Sequence, residues 1–285
     1  MKSIILSLLL AFTLFLAPLK AQITKTFTLD SLGACQGISY INQKYFAYGD
    51  REVGIMRSYT FKDDSLHYSG KEYSFTVAGV NSIKHPTGIA YHKGLPTFVG
   101  NSVRQNAEGT LWKALIYHID WDRFLKTGTL DGNLKNTIED DACIQGTRPE
   151  YVFYKGKWLV ATADYGEKAN EVRLYDPKML KTVKKTSEKG VVLFRFKCSP
   201  LVQNLHWIND KGILILIQNQ IEGRKWRLTY IDLAKSIDKG SEVVLKVIET
   251  DKADELEGLT LIKGTEKGIA VSSAKKDNAS IILLK

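Results

Sequence analysis

Five stretches of the chain share one pattern of apolar and polar positions: residues 36–50, 87–101, 149–164, 203–219 and 257–273. Each begins with a short polar group, runs through an apolar strand, turns, and runs through a second apolar strand. With Gly37, Gly88, Glu150, Asn204 and Gly258 taken as equivalent, the unit recurs after 51, 62, 54 and 54 residues. Repetition at this period points to similar supersecondary units packed side by side.

The columns of the repeat are physically coherent. One position after these five residues lie Ile38, Ile89, Tyr151, Leu205 and Leu259, and three positions after them lie the bulky Tyr40, Tyr91, Phe153, Trp207 and Leu261. Between the two columns stand the mostly small Ser39, Ala90, Val152, His206 and Thr260. A period of two predicts a strand covered on both faces, one of which needs thin side chains. Gly94, Gly156, Gly212 and Gly268 mark the hairpin turn into the second strand.

A third strand is predicted at residues 56–61, 111–119, 172–176, 226–231 and 280–284. Asp120, Asp176 and Asp232 follow it, where a carboxylate can accept hydrogen bonds from turn amides. A fourth strand is predicted at residues 73–77, 191–196 and 243–248, with only a weak signal in the second unit. The last unit stops after three strands, while residues 22–30 form an unattached strand at the other end of the chain.

These features predict an all-β fold, a five-bladed β-propeller closed by an N-terminal strand completing the last blade. Such closure removes two exposed strand edges. A two-sheet sandwich with irregular loops is the competing architecture. Blades would start near residues 36, 87, 149, 203 and 257, and no composition shift divides residues 22–285, which read as a single domain. The pattern resembles secreted five-bladed β-propeller proteins over the whole mature chain. The Glu257-Gly258-Leu259 segment is similar to blade beginnings in calcium-binding lactonase-type and phytase-like propellers, although the remaining lactonase motifs are missing. Five-bladed propellers include glycoside hydrolases, calcium-dependent nucleotidases and lectins, so the resemblance implies a fold and does not choose an activity.

Composition places the chain among globular proteins: 285 residues, 44% hydrophobic and 25% charged, with 22 Gly and 6 Pro. Lys2, an uncharged run over residues 4–18, and the small Ala21 read as a signal peptide spanning residues 1–21. The run is shorter than the ~20 residues that cross a bilayer. A secreted or periplasmic protein is therefore expected, with no membrane span after signal removal. Without Lys2 and Lys20 the formal charge of +9 becomes +7, a surplus that favours anions. The basic residues are spread out and no nucleic-acid recognition motif accompanies them, so no nucleic-acid partner is expected. Cys35, Cys143 and Cys198 leave at least one thiol unpaired, and buried apolar thiols are the simpler reading. A monomer is expected.

Strand alternation puts the start of each first strand and the end of each second strand on one face. Second strands end there at Asp50, Asn101, Asp164, Asn219 and Ser273. Gln36, His85, Thr87, Arg148, Glu150, Gln203, Asn204 and Glu257 lead into the first strands. Either the short polar residues cap turns, or they line a polar funnel for a saccharide or small anionic ligand. In the second reading the binding residues are Asp50, Asn101, Asp164, Asn219, Arg51, Arg104, Arg148 and Asn204, with Trp112, Tyr165 and Trp226 as stacking platforms.

Glu150 and Glu257 are candidates for an acid/base pair in glycoside hydrolysis if they stand ~5–9.5 Å apart. His85, with Arg148 and Tyr165, suits proton abstraction from an acidic sugar; a hydrolase or lyase acting on glycans is the catalytic form of the hypothesis. Asp50, Asp164, Glu150 and Glu257 offer hard oxygen ligands suited to calcium, without any linear calcium loop. His206 is expected to be a hydrogen-bonded core histidine. No nucleophile elbow, zinc-protease helix or phosphate loop is present. The alternative is a non-catalytic recognition or scaffold propeller contacting an exported protein or a surface glycan.

Overall fold

The computed structural model describes residues 18–143, 145–168 and 170–284. Most of the expected signal peptide, residues 1–17, lies outside that set. Two strands open the described chain, β1 (Leu19–Lys20) and β2 (Gln22–Phe27). The first blade is β3 (Cys35–Ile41), β4 (Lys44–Gly49), β5 (Ile55–Lys62) and β6 (Ser65–Ser74), followed by a small hairpin of β7 (Thr76–Val77) and β8 (Val80–Asn81). The second is β9 (Pro86–Ala90), β10 (Thr97–Arg104), β11 (Trp112–Ile119) and β12 (Leu134–Glu139). The third is β13 (Glu150–Tyr154), β14 (Lys157–Ala163), β15 (Glu171–Tyr175) and β16 (Val192–Lys197). The fourth is β17 (Val202–Ile208), β18 (Ile213–Asn219), β19 (Trp226–Asp232) and β20 (Val244–Glu249). The fifth is β21 (Leu256–Leu261), β22 (Lys267–Ser272) and β23 (Ala279–Leu283), completed by β2.

Strands β2 and β23 pair antiparallel from Gln22↔Leu283 to Phe27↔Ala279, so the two ends of the chain build one sheet. Just before it, β1 lies parallel on β20 at the outer edge of the fourth blade, with Leu19 opposite Ile248. The first strands contact one another around the ring in the order β3, β9, β13, β17, β21 and back to β3. The five-bladed propeller is therefore closed.

The core lies between the blades. Alternate residues of each second strand turn to opposite neighbours: Phe46 and Tyr48 pack toward the second blade, while Tyr45 and Ala47 pack toward the fifth. Leu214 and Leu216 likewise join the cluster shared with the third blade, and Ile215 and Ile217 the cluster shared with the fifth. This two-sided burial explains the apolar columns that the repeat displays, since a sheet buried on both faces has no polar side.

Two local expectations are corrected, while the aspartates that follow the third strands accept from backbone amides as expected. The turn glycine of the fifth blade is Gly264, at φ +76°, and Gly268 sits inside β22. The fourth strand of the first blade is Ser65–Ser74, and the predicted segment at residues 73–77 contributes only its beginning before forming the β7–β8 hairpin. Asp120, Asp176 and Asp232 cap short helices, α1 (Trp121–Thr127), α2 (Pro177–Leu180) and α3 (Leu233–Lys239), inserted before the fourth strand. Their side chains accept from the backbone N–H of Arg123, Lys178 and Lys235, which is N-cap chemistry. Among the described residues no helix is long and apolar enough to cross a membrane.

Candidate functional site

Two cavities lie along the propeller axis. The upper one, about 370 Å³, opens where the first strands begin and is lined by residues from every blade, including Gln36, His85, Arg148, Gln203 and Glu257. The lower one, about 180 Å³, is lined by the middles and ends of the first strands, including Tyr40, Ile89, Glu150, Asn204 and His206. Between them Asn204 Nδ2 donates to Tyr48 Oη at 3.1 Å and to the Glu257 carbonyl at 3.1 Å. Tyr48 belongs to the first blade and Asn204 to the fourth, so the bond crosses the axis. The Tyr48 ring fills the space above Gly37, where any Cβ would overlap it; the glycine of the first repeat is there for that ring.

The short polar residues that end the second strands hold backbone. Asp50 Oδ1 accepts from Ala34 N (3.1 Å), Asn101 Oδ1 from His85 N (3.0 Å) and Asp164 Oδ1 from Gln145 N (3.0 Å). Asn219 reaches the next blade, accepting from Leu256 N at 2.8 Å and donating to its carbonyl at 3.3 Å. These bonds pin the segment leading into a first strand, whose amides would otherwise be buried without partners. Arg51 donates to the Ser31 carbonyl and forms an ion pair with Glu72 at 2.9 Å, away from the upper cavity. Of the sequence-predicted residues, His85, Arg104, Arg148 and Glu257 line the upper cavity. Glu150 and Asn204 line the lower one. Glu150 and Glu257 thus line different cavities.

Within the upper cavity, three groups of side chains stand out. Asp50 Oδ2 lies 3.1 Å from His85 Nδ1, which orients the imidazole of this cavity-lining residue. Glu255 accepts from Tyr165 Oη (3.1 Å) and Gln203 Nε2 (2.8 Å), and pairs with Arg224 at 3.4 Å. The third group is Arg148 with Glu257. Arg148 is only 3% exposed. Its Nε and Nη2 donate to the carbonyl and side-chain oxygen of the neutral Gln203, at 3.2 and 3.1 Å. Its Nη1 is buried with no hydrogen-bond partner among the described residues. The guanidinium lies 5.3 Å from the centre of the Tyr165 ring, and no ion pair to it is found among the described residues. Burial pulls its pKa down, opposed by the fields of Asp164 and Glu257.

Glu257 is buried, and burial pushes its carboxyl well above the usual carboxylate range; the neighbouring Glu255 adds to the rise and Arg148 opposes it. Burial thus favours the protonated form of this carboxyl. Arg104, Arg148 and Arg224 line the cavity together with Glu255 and Glu257, and Asp50 stands beside its His85. At the rim Arg104 lies over the Trp112 ring at 5.2 Å, and Trp112 Nε1 donates to the Gly109 carbonyl.

Among the described residues no three of His, Cys, Asp and Glu are grouped to hold a metal ion. The four carboxylates expected to suit calcium are dispersed: Asp50 beside His85, Asp164 on the Gln145 amide, and Glu150 and Glu257 in separate cavities. All three cysteines are free thiols, with Cys35 and Cys143 buried. His206, expected to be hydrogen-bonded in the core, has no side-chain hydrogen bond among the described residues; it lines the lower cavity, and burial pushes its pKa down to about 4. The site residue that sequence reasoning missed is Glu255. The acid–apolar–acid order Glu255, Leu256, Glu257 carries the signal, because alternate residues of an extended segment face one side.

No family model matches the chain, and no curated protein matches it. Among solved structures it is similar to Kuenenia stuttgartiensis hydrazine synthase, at 13% identity over 88% of this chain with a TM-score of 0.43. The chain spans 59% of the length of that protein. It is also similar to U3-55K (8% identity, 94% of this chain and 100% of that one, TM-score 0.44) and to the computationally designed Ika8 protein (8% identity, 91% and 99%, TM-score 0.38). Likenesses of this strength carry no argument about activity.

Proposed function

We propose that this protein is an exported β-propeller that binds a small anionic ligand of the acidic-saccharide class in its upper cavity. The observation that carries the reading is Arg148. A buried guanidinium costs several kcal/mol in lost hydration unless charge and hydrogen bonds compensate it. Here neutral Gln203 satisfies two of its nitrogens, and among the described residues no carboxylate forms an ion pair with it. An anion in the cavity supplies the missing charge. Glu257, whose carboxyl burial pushes toward the protonated form, faces the same cavity, and Arg104 and Arg224 in its lining raise the local concentration of anions. Uronic acids combine the carboxylate and hydroxyls that this set of groups suits.

One observation favours a catalytic extension: His85, paired with Asp50, lines the same cavity as Glu257, whose carboxyl burial pushes toward the protonated form. An imidazole oriented by a carboxylate is the arrangement of a general base, and a protonated carboxyl that of a general acid. In a β-elimination His85 would take the proton next to the ligand carboxylate while Glu257 protonates the departing glycosidic oxygen. The product would be an unsaturated uronate.

The test is thermal denaturation with D-galacturonate, D-glucuronate, oligogalacturonate, D-galactose and D-glucose. At a hundred times its dissociation constant a ligand stabilises by about 2.7 kcal/mol, which is roughly 5–10 °C in a chain of this size. Uronates are expected to raise the melting temperature, neutral sugars not, and Arg148→Gln to abolish the rise. Absence of any shift with uronates overturns the reading and leaves the recognition or scaffold alternative. New ultraviolet absorbance from a conjugated acid, lost in His85→Ala, would establish turnover of the oligomer.

A further inference from the structure

The two ends of the axis carry opposite chemistry. Among the described residues no lysine or arginine lines the lower cavity; its polar groups include Glu150, Asn204, Ser39 and two histidines, and its walls are largely aromatic and aliphatic. Tyr40, Tyr91, Trp158 and Trp207 bring rings to it, and Tyr40 is 38% exposed at its mouth. The rings are tied in place before any ligand arrives. Asn42 Nδ2 donates to Tyr91 Oη at 2.8 Å, and Trp207 Nε1 donates to Asn209 Oδ1 at 3.2 Å. His92 lies 4.1 Å from the Trp158 ring, centre to centre. Inside stands Glu150, whose Oε1 accepts from the N–H of Tyr151 at 2.9 Å and whose side chain has no other hydrogen bond among the described residues.

We infer that this cavity is a second binding site, taking a small organic cation: an alkylated ammonium group held by the aromatic rings and neutralised by Glu150. Ring faces attract a cation through their quadrupole, most strongly where water is excluded. The aliphatic part of the wall, Ile38, Ile41, Ile89, Leu205 and Leu259, favours methylated nitrogen over a hydrated metal ion. At ~30 Å³ for each water, about 180 Å³ is the space of roughly six waters, enough for a tetra-alkylated nitrogen of the smallest size.

Protonation supports the assignment. In the empty cavity burial pushes Glu150 up to about 8, so the carboxyl holds its proton at neutral pH. A bound cation draws it into the ionised form and a proton is released. The titratable groups near it are His206 on β17, His92 beyond β9, the phenols of Tyr40, Tyr91 and Tyr151, and the buried phenol of Tyr48 on β4. Burial keeps His206 uncharged above about pH 4 and keeps the Tyr151 phenol protonated.

Calorimetric titration of the full chain with tetramethylammonium chloride, against sodium chloride at equal ionic strength, tests this. Tetramethylammonium is expected to bind and to tighten by up to about fifty-fold from pH 6 to pH 8, following the ionised fraction of a group titrating near 8. Glu150→Gln keeps the acceptor for Tyr151 and should weaken binding and remove its pH dependence. Trp207→Leu, which leaves Glu150 intact, should weaken binding while keeping the pH dependence. Tetramethylammonium indistinguishable from sodium at every pH overturns the inference, as does unchanged affinity in both variants.

Discussion

A carboxyl that holds its proton to about pH 8 burdens the fold whenever the solution is more alkaline than an unfolded glutamate tolerates. Glu150 is that group. Unfolded, it ionises near 4.5; folded, it stays neutral up to about 8. Between those values the unfolded chain binds fewer protons than the folded one, so stability falls as pH rises, at about 1.4 kcal/mol per unit. At pH 7 the limit is about 3.4 kcal/mol, rising to about 4.8 above pH 8; half of this is a fair expectation for a side chain that a small cavity partly hydrates. Glu150→Gln removes the ionisation and keeps an oxygen for the Tyr151 amide. The variant should be more stable than the natural protein by about 2 kcal/mol at pH 7, roughly 4–8 °C in melting temperature. The gain should vanish near pH 4.5 and be largest above pH 8. Urea and thermal melts at pH 4.5, 7 and 8.5 measure it. A variant less stable at pH 8.5, or a difference that does not vary with pH, would refute the reasoning. The same substitution should also impair cation binding, separating stability from function.

The remaining predictions concern the acid limb, the axis and the closure. His206, held down to about 4, stays neutral while an unfolded histidine protonates below 6.5, so stability is lost as pH falls through that window, by at most about 3.4 kcal/mol; His206→Asn should flatten that part of the curve in urea melts. Tyr48→Phe deletes the bond that crosses the axis and should cost about 1 kcal/mol in urea denaturation; a neutral result would show that the bond is not maintained in solution. Deleting residues 1–27 removes β2 and bares the edge of β23, so size-exclusion chromatography should show aggregation and circular dichroism a loss of cooperative melting.

The architecture was legible because propeller sheets are buried on both faces, which writes the same apolar alternation five times. What escaped is what that alternation does not encode. The helix α1 is seven residues long, too short for a periodic stripe, although Asp120 at its start and Gly128 in the left-handed conformation at its end bracket it. Strand β6 runs Ser65–Ser74 with only Leu66 and Tyr73 buried, because it is an outer strand, so it shows no apolar pattern. In the site, Arg148, Glu257 and His85 were identifiable as polar residues at the starts of first strands. Which of them would be paired was not. Arg148 is capped by Gln203 from the next blade, Glu255 by Tyr165 from two blades away, and Asp50 by His85 across a blade boundary. Such contacts depend on the relative height of neighbouring blades, which a linear repeat does not record. Glu150, two residues after Arg148 in the same polar pattern, lines the lower cavity while Arg148 lines the upper one, a difference in depth along the axis that the repeat does not record.

The central claim, that an anion completes the charge of Arg148 in the upper cavity, is tested most directly by calorimetric titration of D-galacturonate and D-galactose into the same preparation across a range of sodium chloride. The account predicts binding of the uronate alone, weakening as salt rises, reduced in Arg104→Ala and lost in Arg148→Gln. Equal binding of the two sugars, or none by either at low salt, would contradict it.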